Sequence, residues 1–442
     1  MTLVQIEGQE TYDKHQDLSP LKKLGLAGIA LGFLFLIINL TAVGRDVPAL
    51  IFWLSVGLPV IGSLIYIFAQ NKETLPGIKN DGITFNSLTS RGMWGWILGV
   101  ALTGFYVALY WYPHLLENWI RMMDPLAYLI YGAPADQWFL YGTFYSLSVL
   151  VMGIRMMVYK YRHNRYHQVR TLSIIFFQLV LAYLVPYFLK SLNQPEFYFS
   201  YFWPLKIEYL FPNTIDSLVS HPGGLGIFMV GWAVIISLIG TPVLTYFFGK
   251  RWYCSWVCGC GGLANTLGDP FRQLSDKSLK AWKIERWLIY SVLIFAIVNT
   301  ILLWINSVTN GQIFGSASQT ISQIYGFAIG AMFAGVIGVG FYPILGSRVW
   351  CRFGCPMAAI LGLLQKYFSR FRITTNGGQC ISCGNCSTYC EMGIDVRWYA
   401  QREQNIIRAS CVGCGVCAAV CPRGVLSLEN GPLEGRYNLI EH

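Results

Sequence analysis

The chain has 442 residues, of which 54% are hydrophobic, 15% aromatic and only 12% charged. Soluble domains carry about 25% charged residues, so this composition excludes a chain that lies wholly in water. The formal net charge of +10 coincides with no nucleic-acid motif, which excludes a nucleic-acid partner and fits basic loops against an anionic membrane face.

The N-terminus carries Glu7, Glu10, Asp13 and Asp17 and lacks the shape of a signal peptide, so residues 1–23 read as a cytoplasmic tail. Eight apolar runs follow, each near or above the roughly 20 residues that cross a bilayer core. They are Leu24–Val43, Val47–Ala69, Gly92–Trp111, Gln137–Val158, Thr171–Leu189, Gly223–Phe248, Trp287–Ile305 and Ile321–Leu345. With the N-terminus inside, inner segments before Gly346 hold eighteen Lys and Arg, and outer segments hold four: Arg45, Arg121, Lys190 and Lys206. Lys and Arg stay preferentially on the cytoplasmic side, so both termini are expected in the cytoplasm of a multi-pass protein of a bacterial inner membrane.

Two outer loops are long. Trp119 to Tyr131 reads as an amphipathic stretch lying along the interface, and the aromatic residues between Lys190 and Pro222 read as an interfacial belt or a docking surface. Ionisable side chains are expected only at span ends, as at Arg155, which argues against a self-contained ion pump. His163 and His167, set among Arg162, Arg165 and Arg170, read as a solvated face rather than a metal site.

The ends of the sixth and eighth runs repeat one pattern, Gly-x-Arg-x-aromatic-Cys-x3-Cys. It covers Gly249, Arg251, Tyr253, Cys254 and Cys258, and again Gly346, Arg348, Trp350, Cys351 and Cys355, offset by 97 residues. Both arginines are expected at the inner headgroup level. Two facing turns would offer four thiolates for a further iron–sulfur or metal centre at the membrane edge. The alternative is that these are free buried thiols.

The C-terminal stretch repeats Cys-x2-Cys-x2-Cys-x3-Cys at an offset of 31 residues, in Cys380, Cys383, Cys386 and Cys390 and in Cys411, Cys414, Cys417 and Cys421. In bacterial two-cluster ferredoxins three near thiolates of such a run bind one [4Fe-4S] cluster, and the fourth cysteine serves the other cluster. One cluster is therefore assigned to Cys380, Cys383, Cys386 and Cys421, and the second to Cys411, Cys414, Cys417 and Cys390. Zinc ribbons instead use two Cys pairs separated by a longer loop. Cys421 precedes Pro422 whereas Cys390 precedes Glu391, a carboxylate expected to lower the potential of the nearer cluster. All thirteen cysteines lie in the C-terminal half in ligand-like spacings, which points to a reducing compartment rather than to disulfides.

Taken together, these motifs resemble membrane polyferredoxins of the NapH/NosR/CcoG-like 4Fe-4S binding family, and the resemblance covers Gly223 to Leu428. It departs at the first turn, where Gly259 and Cys260 stand in place of the family's proline. Cys254 with Cys258 is the expected ligand pair there, and Cys260 a reserve ligand. The fold class expected is mainly α, a polytopic membrane bundle of about eight helices with a small C-terminal α+β two-cluster ferredoxin domain. Its divisions are a tail at 1–23, a transmembrane domain at 24–373 with the two Cys-x3-Cys turns, a 2×[4Fe-4S] domain at 374–432 and a tail at 433–442. The resemblance implies electron transfer between a cytoplasmic donor or the quinone pool and a periplasmic or membrane redox partner, with quinone as a candidate cofactor in a quinol dehydrogenase component. A maturation factor that supplies electrons or handles copper for a respiratory metalloenzyme is the alternative, since soft thiolates bind Cu(I).

Overall fold

The computed structural model describes residues 19–41, 46–73, 92–249 and 251–432. The tail at 433–442, Lys250, and all but the last residues of the tail at 1–23 lie outside the described residues.

Among the described residues, eight helices are long and apolar enough to cross a membrane: Pro20–Asn39, Pro48–Asn71, Met93–Trp111, Gln137–Lys160, Arg165–Ser191, Leu225–Phe248, Leu279–Val308 and Ala317–Gly340. Their starts follow local chemistry. Proline stands in the first turn of the first two spans, where its missing N–H costs nothing. Asp136 accepts from the Phe139 amide (2.7 Å), Asn164 from that of His167 (3.3 Å) and Ser278 from that of Ala281 (3.1 Å), so three spans begin on side-chain caps. Large apolar side chains such as Phe33, Ile227, Ile235, Leu238 and Ile294 point outward, as in a bundle solvated by lipid. The first two spans touch through small residues. A Cβ on Gly25 would lie 2.8 Å from the Gly62 carbonyl oxygen, and one on Gly62 would lie 2.7 Å from that of Gly25.

The boundaries differ from the sequence expectation chiefly at the seventh span, which begins at Leu279 rather than Trp287. Its 30 residues extend for roughly 45 Å at ~1.5 Å per residue, beyond the ~30 Å apolar core. The surplus turns are polar because Glu285 works there against the C-terminal segment, as described below.

Local packing adds detail to three expectations. Trp119 to Tyr131 is amphipathic: Met122, Met123, Ala127 and Tyr131 are buried in a core with Phe139 and Tyr187, Tyr128 and Leu129 are exposed, and Trp119 Nε1 donates to the Leu36 carbonyl (2.8 Å). Part of the aromatic loop after Lys190 is packed as a core. Phe197 stacks on Tyr209 with ring centroids 4.5 Å apart, and both sit against Met229 and Ala233 of the sixth span. The histidines do not form a solvated face. His163 is exposed, whereas His167 is fully buried and stacked on Tyr161 (4.2 Å), because Asn164 starts a helix between them and turns only His167 inward.

After the eighth span the chain makes the helix Pro356–Phe368 and strand β1 (Phe371–Thr375). It passes through the cysteine loops and returns as β2 (Leu426–Asn430), antiparallel to β1 with Ile373 opposite Leu428. This hydrogen-bonded closure brings the two ends of the ferredoxin segment together. The largest core among the described residues joins this segment to the membrane turns: Cys254, Cys258, Cys351, Cys355, Cys386, Cys411 and Cys417 belong to one buried cluster.

Candidate metal centres

The two ferredoxin halves fold alike because their glycines permit it. Gly384 and Gly415 take left-handed conformations (φ 79° and 77°), and each caps a one-turn helix, Asn385–Thr388 and Val416–Ala419. The loops stay tight enough for amides to face sulfur. The Val425 N–H donates to Cys421 Sγ (3.3 Å), and backbone amides of Ser387, Ile394 and Val416 face the sulfurs of Cys386, Cys390 and Cys414.

One small cavity is lined by Cys390, Cys411, Cys414 and Cys417, within apolar walls that include Ile373, Met392, Val396 and Ile406. A second is lined by Cys380, Cys383, Cys386 and Cys421. Cys390 thus leaves its own half to complete the second set, and Cys421 the reverse. Burial pushes the Cys386 thiol up to about 11 and the Cys390 thiol up to about 12, so at neutral pH these groups ionise only against bound positive charge. Four thiols, sulfur-directed amides and apolar walls fit a [4Fe-4S] cluster in each cavity. Among the described residues, no group of three or more His, Cys, Asp or Glu side chains converges on the point a single ion would occupy. The Cys-x2-Cys-x2-Cys runs suit a cubane, whose four ligands bind four different irons.

The membrane-edge turns form a pseudo-symmetric pair. Gly249 (φ 61°) and Gly346 (φ 91°) reverse the chain after the helices that precede them. In each turn the second cysteine folds its amide back five residues, Cys258 to the Tyr253 carbonyl (2.8 Å) and Cys355 to that of Trp350 (3.0 Å). Each of these cysteines then caps a following helix, Gly259–Asn265 or Pro356–Phe368, so its sulfur faces amides of a helix N-terminus. The arginines are exchanged between the repeats. Arg251 Nη1 donates to the Cys351 carbonyl (3.0 Å), and Arg348 Nη1 to the Cys254 carbonyl (3.3 Å) and towards Cys351 Sγ (3.6 Å). Both are enclosed by the protein, 2% and 0% exposed, because the carbonyls at the two turns offer them buried acceptors.

Cys254, Cys258, Cys351 and Cys355 are buried together, and burial raises the thiols of Cys254, Cys351 and Cys355. The Cys258 thiol is raised first by its hydrogen bond with Cys260 and then by burial. Cys260, half-buried, lies beside that group rather than within it. Gly259, in place of proline, lets the turn approach three polar groups: a Cβ there would lie 2.4 Å from Tyr201 Oη, 2.8 Å from Tyr145 Oη and 2.9 Å from Gln178 Oε1.

A buried ion network joins these turns to the ferredoxin segment. Lys160 Nζ meets Asp269 at 2.6 Å, Asp269 meets Arg272 at 2.9 Å, Arg272 reaches Glu391 at 3.6 Å, and Glu391 meets Arg348 at 2.8 Å. Burial works to raise the carboxyls of Asp269 and Glu391, but the cations beside them hold both below the usual carboxylate range. Glu391 is therefore shared between two guanidinium groups, and its charge still bears on the Cys414 thiol, which burial and then Glu391 raise. Arg352 meets Glu285 at 3.2 Å, and Ser410 donates to the same carboxylate. Around the first cavity Arg251 Nε donates to the Ala409 carbonyl (2.8 Å), Tyr166 Oη to that of Gly413 (2.7 Å) and Arg170 Nη1 to that of Cys414 (3.0 Å). Reading the sequence missed the roles of Tyr166, Arg170, Asp269 and Arg272; for the last three the only sequence signal is charge placed where a span meets its loop.

Two family models match. A 4Fe-4S binding domain covers residues 230–278 and 325–375, the two membrane turns with their helices, and a 4Fe-4S dicluster domain covers residues 379–425. The ferredoxin-type protein NapH of Escherichia coli is 27% identical over 165 residues, 35% of this chain and 53% of that protein. The chain is thus similar to the NapH-like 4Fe-4S polyferredoxins. Methylamine utilization ferredoxin-type proteins MauN are similar as well. That of Paracoccus denitrificans is 27% identical over 176 residues, 36% of this chain and 56% of that protein. That of Methylobacillus flagellatus is 27% identical over 163 residues, 35% and 54% of the two chains. The chain spans about half the length of the curated relatives it matches. No solved structure matches it. The chain thus joins helices long and apolar enough to cross a membrane to 4Fe-4S binding domains, and it is similar to ferredoxin-type and electron transport proteins.

Proposed function

We propose that this polyferredoxin passes electrons between a cytoplasmic donor or the quinone pool and a periplasmic or membrane redox partner, from a bacterial inner membrane with both termini in the cytoplasm. The reading rests on one observation above others: the cavity lined by Cys390, Cys411, Cys414 and Cys417 is packed directly on the turns that carry Cys254, Cys258, Cys351 and Cys355. Bound [4Fe-4S] clusters supply one-electron chemistry at such sites. The chain's part is to hold thiols, direct amides at sulfur and exclude water. The asymmetry of Lys and Arg supports the orientation.

Anaerobically purified protein should contain about eight irons and eight sulfides from the ferredoxin segment, with more if the membrane turns hold a centre, and should show coupled EPR signals when reduced. Zinc without acid-labile sulfide would defeat the assignment. A maturation role that includes copper handling draws support from Cys260, whose contact with Cys258 places a fifth soft thiol at the membrane edge. Copper retained by purified protein and lost in Cys260→Ser would favour that reading.

A further inference from the structure

The two ferredoxin cavities differ in their surroundings. The one lined by Cys390, Cys411, Cys414 and Cys417 is walled by the membrane turns and by Tyr166 and Arg170, and Cys411 and Cys417 are buried. The other opens away from them, with Cys383 exposed and Ile381 58% exposed. Around this opening stand Arg397 and Arg423, which line the cavity, and Arg402, stacked at 4.3 Å over the ring of the exposed Trp398. Among the described residues none of the three arginines is ion-paired. The nearby acids are engaged elsewhere: Asp395 accepts from Ser387 Oγ (2.6 Å), and Glu403 packs over Gly377.

We propose that this face is the docking surface for an acidic soluble protein that carries one electron at a time, with Ile381 and Trp398 as its apolar centre and the arginines as its charged rim. The inference rests on the function proposed above and names the soluble partner's class and place of contact. Charge complementarity selects the partner. Arg397 and Arg423 face the cavity and offset the negative charge of four thiolates, whereas Arg402 is turned outward, held on an aromatic anchor. A basic rim around an exposed aromatic residue is the arrangement that speeds encounter with an acidic surface. The position also shortens the path, because Cys383 is the one exposed cysteine of the chain.

The test uses the full chain in phosphatidylcholine nanodiscs, with a soluble acidic two-cluster ferredoxin as the probe and binding measured by surface plasmon resonance. Affinity should fall steeply between low and high salt. Arg402→Glu and Trp398→Ala, which leave the cavity lining untouched, should each raise Kd by about tenfold at low salt while iron content and EPR signals stay unchanged. Kd values within twofold of the unmodified chain for both variants, or binding indifferent to salt, would overturn the proposal. So would greater fluorescence quenching of the unmodified chain than of Trp398→Ala when the nanodisc lipid is brominated phosphatidylcholine, which would make the face a lipid contact. Protein that lacks iron and sulfide would instead refute the electron-transfer reading, so the two failures are distinguishable.

Discussion

Replacing Glu391 by glutamine tests the view that a buried ion network fastens the ferredoxin segment to the membrane turns. Glu391 and Arg348 are both 0% exposed, and Arg272 is equally enclosed. Glutamine keeps one oxygen for Arg348 but removes the charge, and it leaves Arg348 with no carboxylate and Arg272 with Asp269 alone. Breaking a buried pair from one side costs about 3–5 kcal/mol. The surviving hydrogen bond and Asp269 place this case near the lower end, roughly 3 kcal/mol, which is about a hundredfold in a local opening equilibrium. Hydrogen exchange read by mass spectrometry, at equal iron content, should therefore quicken by about that factor in peptides covering residues 271–276 and 391–394. Glu429→Gln, in a half-exposed pair with Arg372, should change nothing measurable. The double variant Arg348→Met with Glu391→Met should recover much of the loss, since an apolar pair leaves no buried charge unpaired. Acceleration of less than about threefold in both segments would refute the argument.

Cys390→Ser should damage the centre held by Cys411, Cys414 and Cys417, although Cys390 belongs to the other half of the repeat, and EPR of the reduced variant checks which signal is lost. Cys351→Ser should leave both ferredoxin signals intact but halt quinone-coupled reduction; transfer at nearly the native rate would mean that the membrane thiols only pack. The pH dependence follows from Asp269. Its carboxyl is held below the unfolded value of about 3.9, so its contribution is complete above that pH and is lost as pH falls through the folded value. Melting temperature should thus stay level from about pH 7 to 5 and drop below about 4, and Asp269→Asn should flatten that acid limb.

Periodicity, composition and cysteine spacing were sufficient for the bundle and the ferredoxin segment, because each is a local property of the chain. An apolar run of span length must cross or be buried, and a Cys-x2-Cys-x2-Cys loop can bring three thiols together without help from elsewhere. The repeat at Cys254 and Cys351 was legible for the same reason, since its glycine, arginine and aromatic residue travel with the cysteines. What each arginine does was not legible. Charge alone does not name the partners of Arg251 and Arg348, whereas the fold exchanges them between turns and buries them on carbonyls more than ninety residues away in sequence. The same holds for Glu391, which looks like a free carboxylate beside a cluster until Arg272 and Arg348 are brought to it. Cys258 and Cys260 differ by two residues, yet only the packing of the turn puts one among the four thiols and the other beside them. Pairing of charges and orientation of side chains depend on which distant backbone groups lack a partner, and that is settled when the spans and the ferredoxin segment pack together.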